Sequence, residues 1–586
     1  MDLEKVAFKH YRYVNLEPQS PYDDPFLTKL SDGKKEFNWP DLVGWDGCRE
    51  EVEIELDLKK TRLDITSIVV YAVISKAASV GLPDGIEVLI SEDGKTYRNL
   101  GEAVREPYQV TDNRAFAYRM DLNLLPLHYI YLKIKPNPNI GWFMISEVEI
   151  LASKTKRYDS NNPPAIVALP KVVNLSGDCA QLTFSTLNEV CCRYILLKEG
   201  SELTEIKTDE KSLNHQLVLT DLEPNCTYEL KVLIRDAMEK VAFTTAKLKL
   251  LRGPILGALG NNRIQVSFEC NAFALGLVEY WPLANKSDIY TLPVIAQKCA
   301  LDTHYKAVFP QLKAGEYGYR LKLKVQNDTV LVSDNYRFKA FNNLEIENFT
   351  FLVYGDTQHA EQILVANEML KVNDFDFILH LGDLVNQPGN TLDWEDLFKY
   401  SGPLMARAPF FPTLGNHDDH HYKYYQCFDY LEHKNNYSFL YGPFQFISFD
   451  SSSERDLSLA QLQWLEAELK DSNKPYKIIF THCPLFMSWY DDNASKDLRD
   501  KIASILEKYQ VKVVFSGHAH VYDHIEKEKV HYVVSGGGGG YQIARSKSPF
   551  MAPLHFLKVD VKAHNLTVTA IKPGGEIVDS FTVKLN

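Results

Sequence analysis

What most constrains this chain is a series of five short apolar runs in its last two-fifths, each closed by a cluster of Asp, Asn and His. Phe349-Thr350-Phe351-Leu352-Val353-Tyr354 ends in Gly355-Asp356-Thr357-Gln358, and Phe377-Ile378-Leu379-His380-Leu381 ends in Gly382-Asp383. Phe410-Phe411-Pro412-Thr413-Leu414 ends in Gly415-Asn416-His417-Asp418, Ile478-Ile479-Phe480 leads to His482, and Val513-Val514-Phe515 leads to Gly517-His518-Ala519-His520. Runs of this length read as buried strands, so each cluster is expected at the carboxyl end of a strand, where α/β proteins assemble their sites. Helical patterns alternate with them. Ser458-Leu459-Ala460-Gln461 has the form of a capping box ahead of Leu462, Leu465 and Leu469, and Leu498, Ile502, Ile505 and Leu506 mark a second amphipathic helix. Residues 346–586 are therefore expected to form an α/β domain with a β-sheet core wrapped by helices.

At 586 residues the chain exceeds what one hydrophobic core supports, so further domains must precede this one. From Val52 to Ile150 short alternating segments with turn signals read as half-buried strands. The stretch from Pro83 to Tyr97, with Tyr129–Ile134 and Trp142–Ile150, resembles the discoidin-like (galactose-binding-like) jelly roll, placed at 1–155. Such modules bind glycans or surfaces; Trp45, Tyr97 and Trp142 are either a stacking platform for carbohydrate or core residues. Asp159-Ser160-Asn161-Asn162-Pro163-Pro164 reads as a linker. Beyond it, His215–Leu219 and Leu222–Val232 resemble the tyrosine-bearing turn of fibronectin type III-like β-sandwiches, and His304–Phe309 with Leu312–Arg320 echo them about ninety residues later. Two tandem sandwiches are expected, at 160–250 and 251–343. The second resembles the amino-terminal domain of purple acid phosphatases, and its tyrosines read as structural corners.

In this order the five polar clusters resemble the signature blocks of the calcineurin-like metallophosphoesterases, a superfamily that includes purple acid phosphatases. The resemblance covers about residues 346–540. It implies a binuclear hydrolase acting on a phosphomonoester or phosphodiester, with Asp356, Asp383 and His520 on one metal and Asp383, Asn416, His482 and His518 on the other. Asp383 would bridge, which lets two cations sit ~3.5–4 Å apart and clamp one phosphate. The resemblance makes His417 the general acid, with the adjacent Asp418 orienting it. Gln358 stands where many members place a histidine; as a neutral oxygen donor it tilts its site towards Mn, Fe or Mg, with Zn possible at the other. Purple acid phosphatases carry a ligand tyrosine three residues after the second-block aspartate. Here that position is Asn386, so a colourless enzyme without tyrosinate-bound iron is expected.

Other residues admit plainer readings. His420 and His421 either line the substrate pocket or are solvated loop histidines, and Cys483 reads as packing. Gly536–Gly540 lacks the lysine and Ser/Thr of a phosphate-binding loop and reads as a flexible exit from a strand, with Tyr541 beyond it. Nine scattered cysteines form neither a disulfide framework nor a CxxC pattern.

A net charge of −13 without a basic patch argues against binding a nucleic-acid backbone, and no apolar stretch approaches the ~20 residues of a membrane span. The sequence as given opens without an apolar signal region, which favours the cytoplasm, whereas the accessory modules resemble extracytoplasmic ones. Two alternatives share these residues: a glycan- or surface-binding protein with a vestigial phosphoesterase domain, and a diphosphatase of nucleotides or lipids. The expected substrate is a phosphorylated small molecule, glycan or lipid.

Overall fold

The computed structural model describes residues 3–8, 10–75, 78–106, 113–137, 141–259, 263–299, 302–325, 330–340, 346–432, 434–452, 458–488, 496–541 and 553–585. The change of texture expected at Glu345 and the side chain of Leu498 lie outside these. The fold is mostly β, with 50% strand and 12% helix.

The amino-terminal part consists of paired sheets, each pair closed on its own core. Between residues 3 and 153, a sheet built on Ile65–Ile74 and Trp142–Ser153 shares one apolar cluster with a sheet built on Val52–Arg62 and Leu127–Lys135. Alternation explains this: in Val52–Arg62 the residues Val52, Ile54, Leu56 and Leu58 are buried and those between them are not. Trp45 lies in this core, 1% exposed and stacked on Phe143, so it is no platform. Tyr97, half-buried, donates to Glu55, and Trp142, half-buried against Tyr22, likewise keeps part of its ring at the surface. A second pair spans Ile166–Leu175 to Ala237–Thr244 and a third spans Leu250–Leu259 to Tyr336–Ala340. Tyr228 makes a structural corner, its hydroxyl accepting the Glu223 N–H at 2.8 Å.

Residues 346–585 form two six-stranded sheets packed face to face. In the first, Phe410–Pro412, Phe377–His380 and Asn348–Tyr354 run parallel. In the second, Phe444–Phe449, Tyr476–Thr481, Val513–Ser516 and Val530–Ser535 do the same. Phenylalanines fill the space between: Phe351 stacks on Phe377 of its own sheet at 5.0 Å and meets Phe446 of the other edge-on at 5.4 Å. The helix Leu459–Asp471 opens with the expected capping box, and Leu462, Leu465 and Leu469 join Ile502 and Leu506 over the outer face of the second sheet.

The third β-unit docks on this domain. Ile255 enters its core, and a Cβ on Gly257 would lie 2.2 Å from the Tyr430 ring, so only glycine allows that approach. Tyr319, expected as a corner, instead ties the two together by donating to the Ala406 carbonyl at 2.7 Å. The first unit also reaches across, its Ile74 and Phe116 packing on Leu392 of the helix Thr391–Tyr400.

Candidate metal centre

All five clusters emerge at the carboxyl ends of parallel strands. Asp356, Asp383 and Asn416 come from the first sheet and His482 and His518 from the second, so the centre sits where the two sheets meet. The turns are tight. Asp356, Asp383 and His518 hold φ of 62°, 53° and 64°, a left-handed conformation that ordinary residues avoid and that is tolerated where function over-determines it.

Donor atoms converge. Asn416 Oδ1 lies 2.8 Å from His482 Nε2 and 2.9 Å from His518 Nδ1, and these two nitrogens are 3.3 Å apart. Asp383 Oδ1 lies 3.3 Å from His482 Nε2. Bonds of ~2.0–2.2 Å to one cation put neighbouring ligand atoms roughly 3–3.5 Å apart, so these four donors are spaced as ligands of one ion. A second group adjoins it: His520 Nε2 is 3.5 Å from Asp356 Oδ1, and Asp356, Asp383 and His482 bring ligand atoms within 4.8 Å of one another. Asp356, Asp383 and His482 are almost fully buried, at 0–2% exposure, where unpaired charges would be costly and a cation would compensate them.

Main-chain carbonyls aim the rings. His482 Nδ1 donates to Leu381 O at 2.8 Å and His520 Nδ1 to Tyr541 O at 2.6 Å, which leaves each Nε2 as the atom that would ligate a metal. Burial works against a charge on His482, but the carboxylate of Asp383 outweighs it and holds the ring above its usual range; reciprocally Asp383 is held low. A cation would take the place of that proton.

Gln358 donates from Nε2 to Asp383 Oδ2 at 2.8 Å; this puts its amide beside the Asp383 carboxylate with nitrogen, not oxygen, facing it. The side chain of Asn386 donates to Ser79 Oγ at 3.5 Å.

The reading of Asp418 needs correction. Among the described residues it makes no bond to His417. Its carboxylate accepts the N–H groups of Asp383, Leu384 and Gly415 at 2.8–3.0 Å, tying the second block to the third. His417 is oriented by the Asn386 carbonyl, 2.8 Å from its Nδ1. Nor is Gly536–Gly540 a loose exit. All five glycines are buried; Gly538 N donates to Gly355 O, Gly540 N donates to Asp356 O, and a Cβ on Gly540 would lie 2.4 Å from the His520 ring. The run is glycine because main chain passes against Asp356 and His520.

His421 caps the helix Tyr422–Cys427 by accepting the Lys423 N–H, which commits its ring to structure. His420, more exposed, is held by Tyr425 at 3.1 Å and Ser452 at 3.2 Å. Cys483 is buried beside the centre, within 4.8 Å of nitrogens of His482 and His518. Leu381 O, Tyr541 O and Asn386 O escaped sequence reasoning, because a carbonyl is common to every residue. Ser451, whose Oγ accepts the N–H groups of His482 and Cys483, follows the strand Phe444–Phe449 and could have been sought there.

Comparison with known proteins agrees with this geometry. The calcineurin-like phosphoesterase family matches residues 349–522. That segment is a calcineurin-like phosphoesterase domain. Purple acid phosphatase 22 of Arabidopsis thaliana is 25% identical over 236 residues, 35% of this chain and 54% of that one. Probable inactive purple acid phosphatase 27 of the same plant is 23% identical over 348 residues, 47% of this chain and 56% of that one. The chain thus spans about half the length of these curated relatives. A solved purple acid phosphatase from yellow lupin seeds matches 70% of this chain and 93% of its own at 16% identity, with a TM-score of 0.49.

Proposed function

We propose that the phosphoesterase domain hydrolyses a phosphate ester at a binuclear centre. The observation that carries this is Asp383: one carboxylate oxygen lies 3.3 Å from His482 Nε2 while the group also faces Asp356, so a single buried carboxylate adjoins both donor sets. Asn416, His482 and His518 would complete one set, and Asp356 and His520 the other, which Gln358 would join only with its amide turned to present oxygen. Two divalent ions there would neutralise charge growing on the phosphoryl oxygens and activate water. The donor types favour Mn, Fe or Mg beside Gln358 and admit Zn at the histidine-rich set.

The chain's own contribution is orientation and a proton. Because His417 Nδ1–H is committed to Asn386 O, the imidazolium form would donate its second proton, from Nε2, to a leaving oxygen and return to neutral imidazole. Substrates fitting this reading are phosphorylated small molecules, glycans or lipids. The name of one relative, probable inactive purple acid phosphatase 27, favours a rival in which the phosphoesterase domain is vestigial and the protein binds a glycan or surface. Reconstitution with Mn, Mg, Fe or Zn and assay of p-nitrophenyl phosphate and its bis ester separates them. Turnover abolished by Asp383→Asn supports hydrolysis; bound metal without turnover of either ester sinks it.

A further inference from the structure

The loop Leu384–Asn390 carries the carbonyl that aims His417, and it is held from both sides. At its start Leu384 N donates to Asp418 and Leu384 O accepts the Thr357 hydroxyl at 2.9 Å. At its end Asn390 caps the helix Thr391–Tyr400, while Asp393 accepts the Gln387 N–H at 2.8 Å. The middle is held by the first β-unit, some three hundred residues earlier. Ser79, at φ 54° in the turn before Val80–Gly81, accepts the Gln387 amide on its carbonyl at 3.3 Å and the Asn386 amide on its hydroxyl at 3.5 Å. The same Ser79 carbonyl accepts the Trp142 N–H at 2.9 Å, which anchors the turn to its own sheet. Beside it Ile74, Phe116 and Leu392 close a dry contact, each under 7% exposed.

We infer that the amino-terminal β-unit is a working part of the active site: through Ser79 it fixes Asn386 and Gln387, and so sets the direction of the His417 ring. Polar contacts at 3.3–3.5 Å are weak singly, but the apolar contact fixes their geometry, and a ring aimed by one carbonyl turns when that carbonyl shifts. Ser79, Gln387 and Ile74 are positioning residues. This rests on His417 serving as the acid of the proposed hydrolysis.

The signature of a misdirected acid is selective. An ester with a good leaving group departs without protonation, whereas one with a poor leaving group needs the proton. In the full-length protein, Gln387→Leu and Ile74→Ala should each lower kcat for phenyl phosphate by about tenfold, a fraction of what general acids contribute, while kcat for p-nitrophenyl phosphate changes less than about twofold. His417→Asn should show the same selectivity in fuller form. Equal losses on both esters, or no loss on either, would overturn the inference. Hydrogen exchange supplies an arm independent of turnover. Both variants should speed exchange at the Leu384 to Gln387 amides with manganese content unchanged. Unaltered exchange overturns the coupling even in a protein that hydrolyses nothing, whereas faster exchange in an inactive protein supports the coupling and refutes only the hydrolysis.

Discussion

Gly382 stands so close to His482 that a Cβ on it would lie 2.7 Å from the ring Nδ1, the atom that donates to Leu381 O. The same Cβ would lie 2.8 Å from the Gly415 main chain, and φ at Gly382 is 87°. Gly382→Ala therefore meets two penalties: a left-handed conformation costing about 1–2 kcal/mol and a clash with backbone that cannot swing aside. The expected outcome is a lower unfolding midpoint in denaturant and at least about tenfold weaker manganese binding by equilibrium dialysis, the scale on which disturbed ligand orientation acts. Wild-type affinity in the alanine variant would show that this contact does not aim His482.

Asp418 and His417 should separate cleanly. His417→Asn is expected to lower kcat on poor leaving groups by about 10²–10⁴ with metal content and folding stability retained. Asp418 is wholly buried and accepts three main-chain N–H groups, two on Oδ2 and one on Oδ1, so Asp418→Asn sets an NH2 against at least one main-chain donor. Stability should fall by roughly 1–3 kcal/mol, with metal affinity falling too as Asp383 shifts. A fully stable Asp418→Asn protein with lost turnover would restore a direct catalytic role.

The contrast between these residues shows what the sequence made legible. Each of the five clusters lies where an apolar strand ends, because burial on both faces leaves an apolar run and the polar residues must follow it. What could not be read was anything carried by main chain or by distant sequence. Asp418 next to His417 suggested a dyad, yet neighbours in a turn point apart, and the carboxylate serves three amides instead. Gly536–Gly540 suggested looseness because glycine is permissive in isolation; packed against Asp356 and His520, it is used for its size. Ser79 carried no signal at all, since its partner lies some three hundred residues away.

Asn386 fixes the expected colour. Its side chain is engaged with Ser79, and an amide offers iron no phenolate. Protein loaded with ferric iron should show no charge-transfer band in the visible, while Asn386→Tyr is the variant that could create one. A purple wild-type protein would mean that another tyrosine reaches the centre.

Acid should destabilise the domain through a histidine outside the metal centre. His555 is fully buried; Nδ1 donates to Pro553 O and Nε2 accepts from Ser535, so the ring is neutral, and burial lowers its pKa to about 4. In the unfolded chain the ring titrates near ~6.5. Between these values the unfolded state binds the extra proton, so stability is complete above about pH 6.5 and is lost as pH falls towards about 4. A shift from ~6.5 to about 4 is worth on the order of 3 kcal/mol. His555→Gln removes the titrating group: its unfolding free energy should start lower than that of the wild type at neutral pH but decline less down to about pH 4.5. Urea titrations at several pH values measure both slopes, and parallel curves for the two proteins would show that His555 is not the group whose protonation weakens the fold.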